Sequence, residues 1–262
     1  MAILDTRLNT TSEDFVTNRS EMLAMLAEME RLLEEVEAGG GEEAMARLRS
    51  RGKLPVRERV AAVLDRDSPF LELSPLAAWG SNFPTGSGFL AGIGVVSGVE
   101  SVIIGHDPSV RAGAINDFNI KKQMRALEIC RENRLPYLQF VESAGADLRG
   151  DTGDAEAALK RDTRHFAEAG RLFYEITELS KLRIPTVSVV FGNSTAGGAY
   201  QPGMSDYNIF IKQRSKVFLA GPPLVKMATG EDADDESLGG AEMHCTISGL
   251  GSQPQSPTPA QT

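Results

Sequence analysis

The chain has 262 residues, 41% hydrophobic and 24% charged, with 27 Lys+Arg against 36 Asp+Glu and a formal net charge of −9. These proportions exclude wholesale disorder, and the acidic balance argues against a nucleic-acid partner, which needs a basic face to displace counterions. Two cysteines without a CxxC pair, and three histidines (His106, His165, His244) without an HExxH or i, i+4 pair, exclude a disulfide scaffold, a zinc ribbon and a His-based metal site. No metal is therefore expected. No run reaches the roughly 18–20 apolar residues of a bilayer span, and the first twenty residues lack a basic, then apolar, secretory leader. The expectation is a cytoplasmic chain with no membrane partner.

Thr11 to Val36 is expected to be a helix, with Thr11 and Asp14 placed as a capping box and Gly39-Gly40-Gly41 ending it. Met22, Leu26, Met29, Leu33 and Val36 recur at alternating steps of four and three, which makes one apolar seam. Such a seam packs either on its own domain or on another subunit. Glu42 to Arg51 reads as a second helix, and Pro55 introduces a third, apolar at Val60, Ala61, Val63 and Leu64.

From Gly88 the period shortens to two. Phe89, Ala91, Ile93 and Val95 alternate with other residues, Ser97-Gly98-Val99-Glu100 forms a turn, and Val102-Ile103-Ile104 follows, the pattern of a β-hairpin. Gly92-Ile93-Gly94 resembles the start of a dinucleotide fingerprint, but position 97 is Ser and a strand continues where a helix should begin.

An internal near-repeat comes next. Gln123 to Asn133 is helical, Leu135-Pro136 breaks it, Tyr137 to Val141 is a strand, and Glu142 to Asp147 is a loop of mostly small residues. The order returns with a helix from Phe166 to Leu182, a break at Ile184-Pro185, a strand from Thr186 to Val190 and a small-residue loop from Gly192 to Ala199. A shorter third copy is Lys216 to Ala220 followed by Gly221-Pro222-Pro223. Repetition of this kind indicates parallel strands with helices outside, and ligands in such sheets bind beyond the carboxyl ends of strands, where these loops lie. Gly251 to Thr262 carries no charge and is expected to be a disordered tail.

The best candidate for chemistry is Ser194 to Tyr200, with Gly197 and Gly198 at its centre. Small residues after a buried strand let backbone N–H groups approach a ligand, and such donors stabilise an oxyanion without an ionisable side chain. Gly145 and Ala146 offer a second patch after the neighbouring strand. The competing explanation is tight helix–strand packing that needs Gly and Ala only for room. Side-chain alternatives are poorer. Ser194 is not in a GxSxG elbow, and His244 next to Cys245 in a strand would point to the opposite face. Asp234-Asp235-Glu236 suits a solvated turn or helix cap, and Glu142 and Asp147 suit salt bridges.

At these residues the chain resembles the carboxyltransferase (β) subunits of biotin-dependent acyl-CoA carboxylases. The runs that carry the resemblance are RSRGKLPVRERV (49–60), DSPFLEL (67–73), ESAGADL (142–148), HFAEAGRLFYE (165–175), IPTVSVVFGNSTAGGAYQPGMSD (184–206), VFLAGPPLVKMATGED (217–232) and LGGAEMHCTISG (238–249). STAGGAY and AGPPLVK are similar to the methylcrotonyl- and geranyl-CoA members. The resemblance implies an α/β crotonase fold, a superhelix of repeated ββα units, over residues 67–250, preceded by a helical segment over 1–66 and followed by the tail at 251–262.

It also implies an activity: transfer of a carboxyl group from carboxybiotin to an acyl-CoA through a thioester enolate. By motif position, Gly197 and Gly198 hold the enolate oxygen, with Gly145 and Ala146 as a second patch. Biotin arrives on a partner, since the chain has no AMKM attachment sequence. The implied partners are a biotin carboxylase or biotin carboxyl carrier subunit and a second carboxyltransferase half, in an oligomer. Family subunits have two crotonase-type domains and the match here ends after the first. Two other readings therefore stand beside the enzymatic one, a non-catalytic carboxylase-subunit module and a decarboxylase component of the same superfamily.

Overall fold

A computed structural model describes residues 6–147 and 163–255. Three helices lead into the sheet: α1 (Glu13–Glu37), α2 (Glu42–Ser50) and α3 (Val56–Val63). The cap of α1 differs from expectation. Ser12, not Thr11, accepts the Phe15 N–H at 3.3 Å, while Thr11 is engaged by Asn9. Of α1 only Leu32 is buried among the described residues, so the seam does not pack along its length on its own domain.

The hairpin forms as expected, β2 (Phe89–Val96) running antiparallel to β3 (Val99–His106), with β1 (Phe70–Glu72) added outside β2. Ser97 and Gly98 both have positive φ, as a two-residue hairpin turn requires, and the Asp65 carboxylate accepts both of their N–H groups at 2.7 and 2.6 Å. Gly92 and Gly94 serve packing. A Cβ at Gly92 would lie 2.2 Å from the Phe70 ring, and one at Gly94 2.3 Å from Leu64.

Beyond β3 the sheet is parallel. Helix α4 (Asp117–Asn133) returns the chain to β4 (Tyr137–Ser143), and α5 (Thr163–Lys181) returns it to β5 (Thr186–Thr195). β5 is ten residues long, twice the run expected, because two strands follow one another along the edge away from β4. Its first half pairs with β6 (Tyr207–Ile211) and its last three residues with β7 (Lys216–Phe218). A 3₁₀ turn (Ala196–Ala199) and a short α6 (Tyr200–Gly203) join β5 to β6. After β7 come α7 (Pro222–Thr229), α8 (Asp235–Gly239), α9 (Ala241–Thr246) and β8 (Gln253–Gln255). Part of the tail expected from Gly251 is ordered, β8 pairing in parallel with β6 through backbone bonds that need no apolar side chain, and residues 256–262 of it lie outside the described residues.

Alternation sends successive residues of β3 to opposite faces. Val102 and Ile104 join Leu127, Tyr137 and Ile176 under α4 and α5, whereas Ile103 joins Val56, Val60, Phe140 and Phe191 under α3. Among the described residues no helix is long and apolar enough to cross a membrane.

Candidate functional site

The two small-residue loops leave adjacent strands at the same level. Ser143 and Ser194 are register partners at the ends of β4 and β5. Both hydroxyls are spent on the loops themselves: Ser143 Oγ accepts the Gly145 N–H at 3.2 Å, and Ser194 Oγ donates to the Gly198 carbonyl at 2.8 Å. Neither is placed as a nucleophile.

The four glycine and alanine candidates separate into two kinds. Gly198 is buried, and a Cβ there would come within 3.3 Å of Ser143 Cβ and 3.4 Å of Ser194 Oγ, a tight fit. Gly197 is half-exposed, and a Cβ there would meet only Ile115 Cδ1 at 4.0 Å. In a 3₁₀ helix the ladder runs from i to i+3, so the N–H groups of Ala196 and Gly197 precede its first bond. Gly145 is buried at φ +88° with its N–H held by Ser143, whereas Ala146 is exposed. Ile115 bridges to this loop in parallel, donating to the Gly145 carbonyl and accepting from the Asp147 N–H, both at 2.8 Å. In a parallel bridge of that pattern the Ala146 N–H points away from Ile115.

In front of the β4 loop lies a cleft of about 770 Å³. One wall is α2 with its C-cap, presenting Arg47, Leu48 and Arg51; the other is the 108–114 turn and the loop at Ala144, Ala146 and Asp147. Arg47 and Arg51 are exposed and make no ion pair within the described residues. Arg111, Ala112 and Gly113 form one left-handed turn, with φ of +47°, +56° and +66°. Left-handed backbone costs roughly 1–2 kcal/mol per non-glycine residue. The surroundings hold the turn in place: Arg111 pairs with Asp147 at 3.0 Å and lies 4.2 Å over the Phe83 ring, and Ala112 O accepts the Ala144 N–H. A Cβ at Gly113 would overlap the Glu142 carbonyl, at 2.2 Å.

Behind the loop, Glu142 is a buried hub. It pairs with Lys53 and, at 2.8 Å, with Arg59, whose guanidinium lies 4.3 Å over Phe191. The Arg59 contact is an ion pair whose alignment falls outside that of a hydrogen bond. Burial alone would raise the Glu142 carboxyl, but Arg59 and Lys53 together outweigh it and hold it below the usual carboxylate range. The salt bridges expected of Glu142 and Asp147 are therefore present.

The remaining candidates take structural places. His244 and Cys245 lie in helix α9, not in a strand as expected; neighbours in a helix also point apart, so the thiol gains no base. His244 Nε2 contacts the Val217 carbonyl at 2.8 Å and its ring stacks on Phe210. Asp234 caps α8 by accepting the Ser237 N–H at 2.8 Å, and Asp235 and Glu236 pair with Lys216. No group of three or more His, Cys, Asp or Glu able to hold a metal occurs among the described residues.

Residues 47–253 match the carboxyl transferase domain family. The chain belongs to that family. It is 50% identical over 248 residues to a probable biotin-dependent acyl-coenzyme A carboxylase beta2 subunit of Mycobacterium tuberculosis, covering 95% of this chain and 45% of the relative. It is 42% identical over 251 residues to the methylcrotonoyl-CoA carboxylase beta chain of Dictyostelium discoideum, covering 95% and 41%. Among solved structures, the beta subunit of P. aeruginosa geranyl-CoA carboxylase superposes with a TM-score of 0.85 at 38% identity, over 98% of this chain and 46% of that one. Transcarboxylase 12S, in a structure with hydrolysed methylmalonyl-coenzyme A bound, superposes with a TM-score of 0.74 at 25% identity, over 97% and 46%. The α/β crotonase fold is thus the fold of this carboxyl transferase domain. The chain spans somewhat under half the length of these relatives.

Within the carboxyl transferase domain, motif reading found the strand-end loops but missed the opposite wall of the cleft. Arg47 lies in α2 and Arg51, four residues on, is its C-cap, a spacing visible in the sequence. Nothing local said that α2 faces the β4 loop. The hub at Glu142 was equally hidden, since Lys53 lies 89 positions away.

Proposed function

We propose that the chain is the acyl-CoA-binding half of a biotin-dependent carboxyltransferase. The observation that carries this reading is the cleft, with Arg47 and Arg51, unpaired among the described residues, on one wall and the exposed Ala146 on the other. CoA is a long, polyanionic ligand with a thioester at its far end. Arg47 and Arg51 suit its phosphates by charge and by planar, multidentate donation. The backbone N–H groups of Ala146 and Gly197 suit the thioester oxygen as negative charge develops on it, each worth roughly 3–4 kcal/mol of barrier. Gly145 and Gly198, expected as donors, then serve as the tight backbone that sets their neighbours in place.

Carboxybiotin, brought by a biotin carboxyl carrier partner, supplies the carboxyl group. The part of this chain is to bind and orient the acyl-CoA and hold the enolate oxygen. No side-chain base is needed on this chain if the substrate proton leaves to the incoming carrier group. This agrees with serines and a histidine whose polar atoms are engaged elsewhere. A second carboxyltransferase half completes the site in an oligomer.

Calorimetric titration of the full chain with methylcrotonyl-CoA, propionyl-CoA and free CoA tests the reading. Micromolar binding is expected, with a preference for one acyl-CoA. Arg47→Gln/Arg51→Gln should weaken all three ligands at least about tenfold, since both substitutions act on the shared CoA moiety. Absence of binding by a chain that melts cooperatively, or equal affinity in the double variant, would overturn it.

A further inference from the structure

The amphipathic stripe of α1 outruns the body that holds it. At the carboxyl end it is seated: Leu32 is buried, Leu33 and Val36 are half-buried, and a Cβ on Gly86 would lie 2.7 Å from Val36 Cγ1. The preceding turns carry the same stripe into solvent, with Met22 54%, Met25 62%, Leu26 39% and Met29 43% exposed. An amphipathic helix ordinarily covers such a face, and a contiguous exposed one marks an interaction surface.

The rims of the stripe are acidic. By helical geometry Glu21, Glu28 and Glu35 form a column on one side, and the other side carries Glu30 and Glu37, with Arg19 and the exposed Leu23 toward its amino end. Within α1 eight side chains are acidic and two basic. One of the two, Arg31, is already paired with Glu28 at 2.9 Å and Glu35 at 3.6 Å. Three of the four exposed stripe residues are Met, whose unbranched thioether adapts to a partner's shape. Two copies of α1 would set like charges against each other. The complement of an apolar, Met-rich strip between carboxylate rims is a helix with a matching apolar face and basic edges.

We propose that α1 is a docking helix for a basic amphipathic helix of a partner protein. The partner helix seats on Met22, Met25, Leu26 and Met29, with its Lys and Arg side chains on the glutamate rims.

The test titrates the full chain with a synthetic helical peptide of Leu and Lys, Leu at every a and d position, and with its counterpart carrying Glu for Lys. The Lys peptide is expected to bind and to weaken as ionic strength rises. Leu26→Glu/Met29→Glu should weaken it at least about tenfold, and Glu30→Lys/Glu37→Lys several-fold. All these positions are at the surface, so circular dichroism should match the parent chain. Binding of neither peptide, equal binding of both, or undiminished binding by Leu26→Glu/Met29→Glu overturns the proposal. So does a dimer of the chain, seen by sedimentation equilibrium, that Met29→Glu dissociates, since the strip would then belong to a second copy.

Discussion

Replacing Glu142 by Gln removes the anion that ties Lys53 and Arg59 to the end of β4. The Arg59 side chain is 2% exposed, its guanidinium lies 4.3 Å over the Phe191 ring, and its counter-charge is Glu142 at 2.8 Å. With Gln in place the guanidinium stays desolvated with no counter-charge, a loss of about 3–5 kcal/mol for a broken buried pair. Lys53, at 22% exposure, can turn to water and adds little. In a domain of this size each kcal/mol shifts Tm by about 2–4 °C, so the expected fall is roughly 6–20 °C.

Arg59→Met/Glu142→Gln deletes both charges and should recover most of the loss, because a buried pair replaced whole is often neutral. Acidification supplies a second comparison. A carboxyl whose folded pKa is depressed contributes stability that is complete above its unfolded value and is lost as pH falls through the folded one. Below the usual carboxylate range the parent chain should therefore lose stability more steeply than Glu142→Gln. Urea melts across that range measure both effects. A loss under about 1 kcal/mol in the single variant, or a double variant no more stable than the single, would refute the reasoning.

Two further outcomes are expected. Burial lowers His106 to about 4, against the opposing pull of the Phe140 carbonyl and Glu142. Its neutral form thus contributes stability that is complete above about 6.5 and is lost as pH falls toward 4, on the order of 3 kcal/mol in all. His106→Gln should flatten the urea-melt stability profile between those pH values, and an unchanged slope would sink the assignment. In the candidate site, Gly198→Ala should cost about 1–3 kcal/mol by crowding Ser143 and Ser194 and should weaken acyl-CoA binding with it. Gly197→Ala should stay within about 0.5 kcal/mol of the parent and bind acyl-CoA as before, because its N–H survives. Thermal melts and calorimetry on the pair decide whether packing and donation separate as the geometry separates them.

Much of the architecture was legible because it is written in local patterns. Alternation over Phe89–Val96 marks a strand whichever partner it meets. The recurring order of helix, proline break, apolar run and small-residue loop marked parallel strands and their binding edge. What could not be read was the extent of pairing. β5 runs on to Thr195 because β7 arrives beside it, and Gln253–Gln255 becomes a strand because the β6 edge is open, although its composition suggests none. Strand pairing joins backbone groups, and sequence composition is nearly silent about them.

The same division runs through the site and the amino-terminal helices. The sequence alone determined that small residues stand at the ends of β4 and β5 and that α1 carries an apolar seam. Only the tertiary structure decided that Gly198 and Gly145 are packed while Gly197 and Ala146 face outward. It alone brought Arg47 and Arg51 across a cleft from that loop and left the seam at Met22–Met29 uncovered. Periodicity follows from the geometry of one element, which neighbouring residues specify among themselves. Burial and charge pairing depend on which distant segment is laid against that element, and this is settled when the whole chain closes around its core.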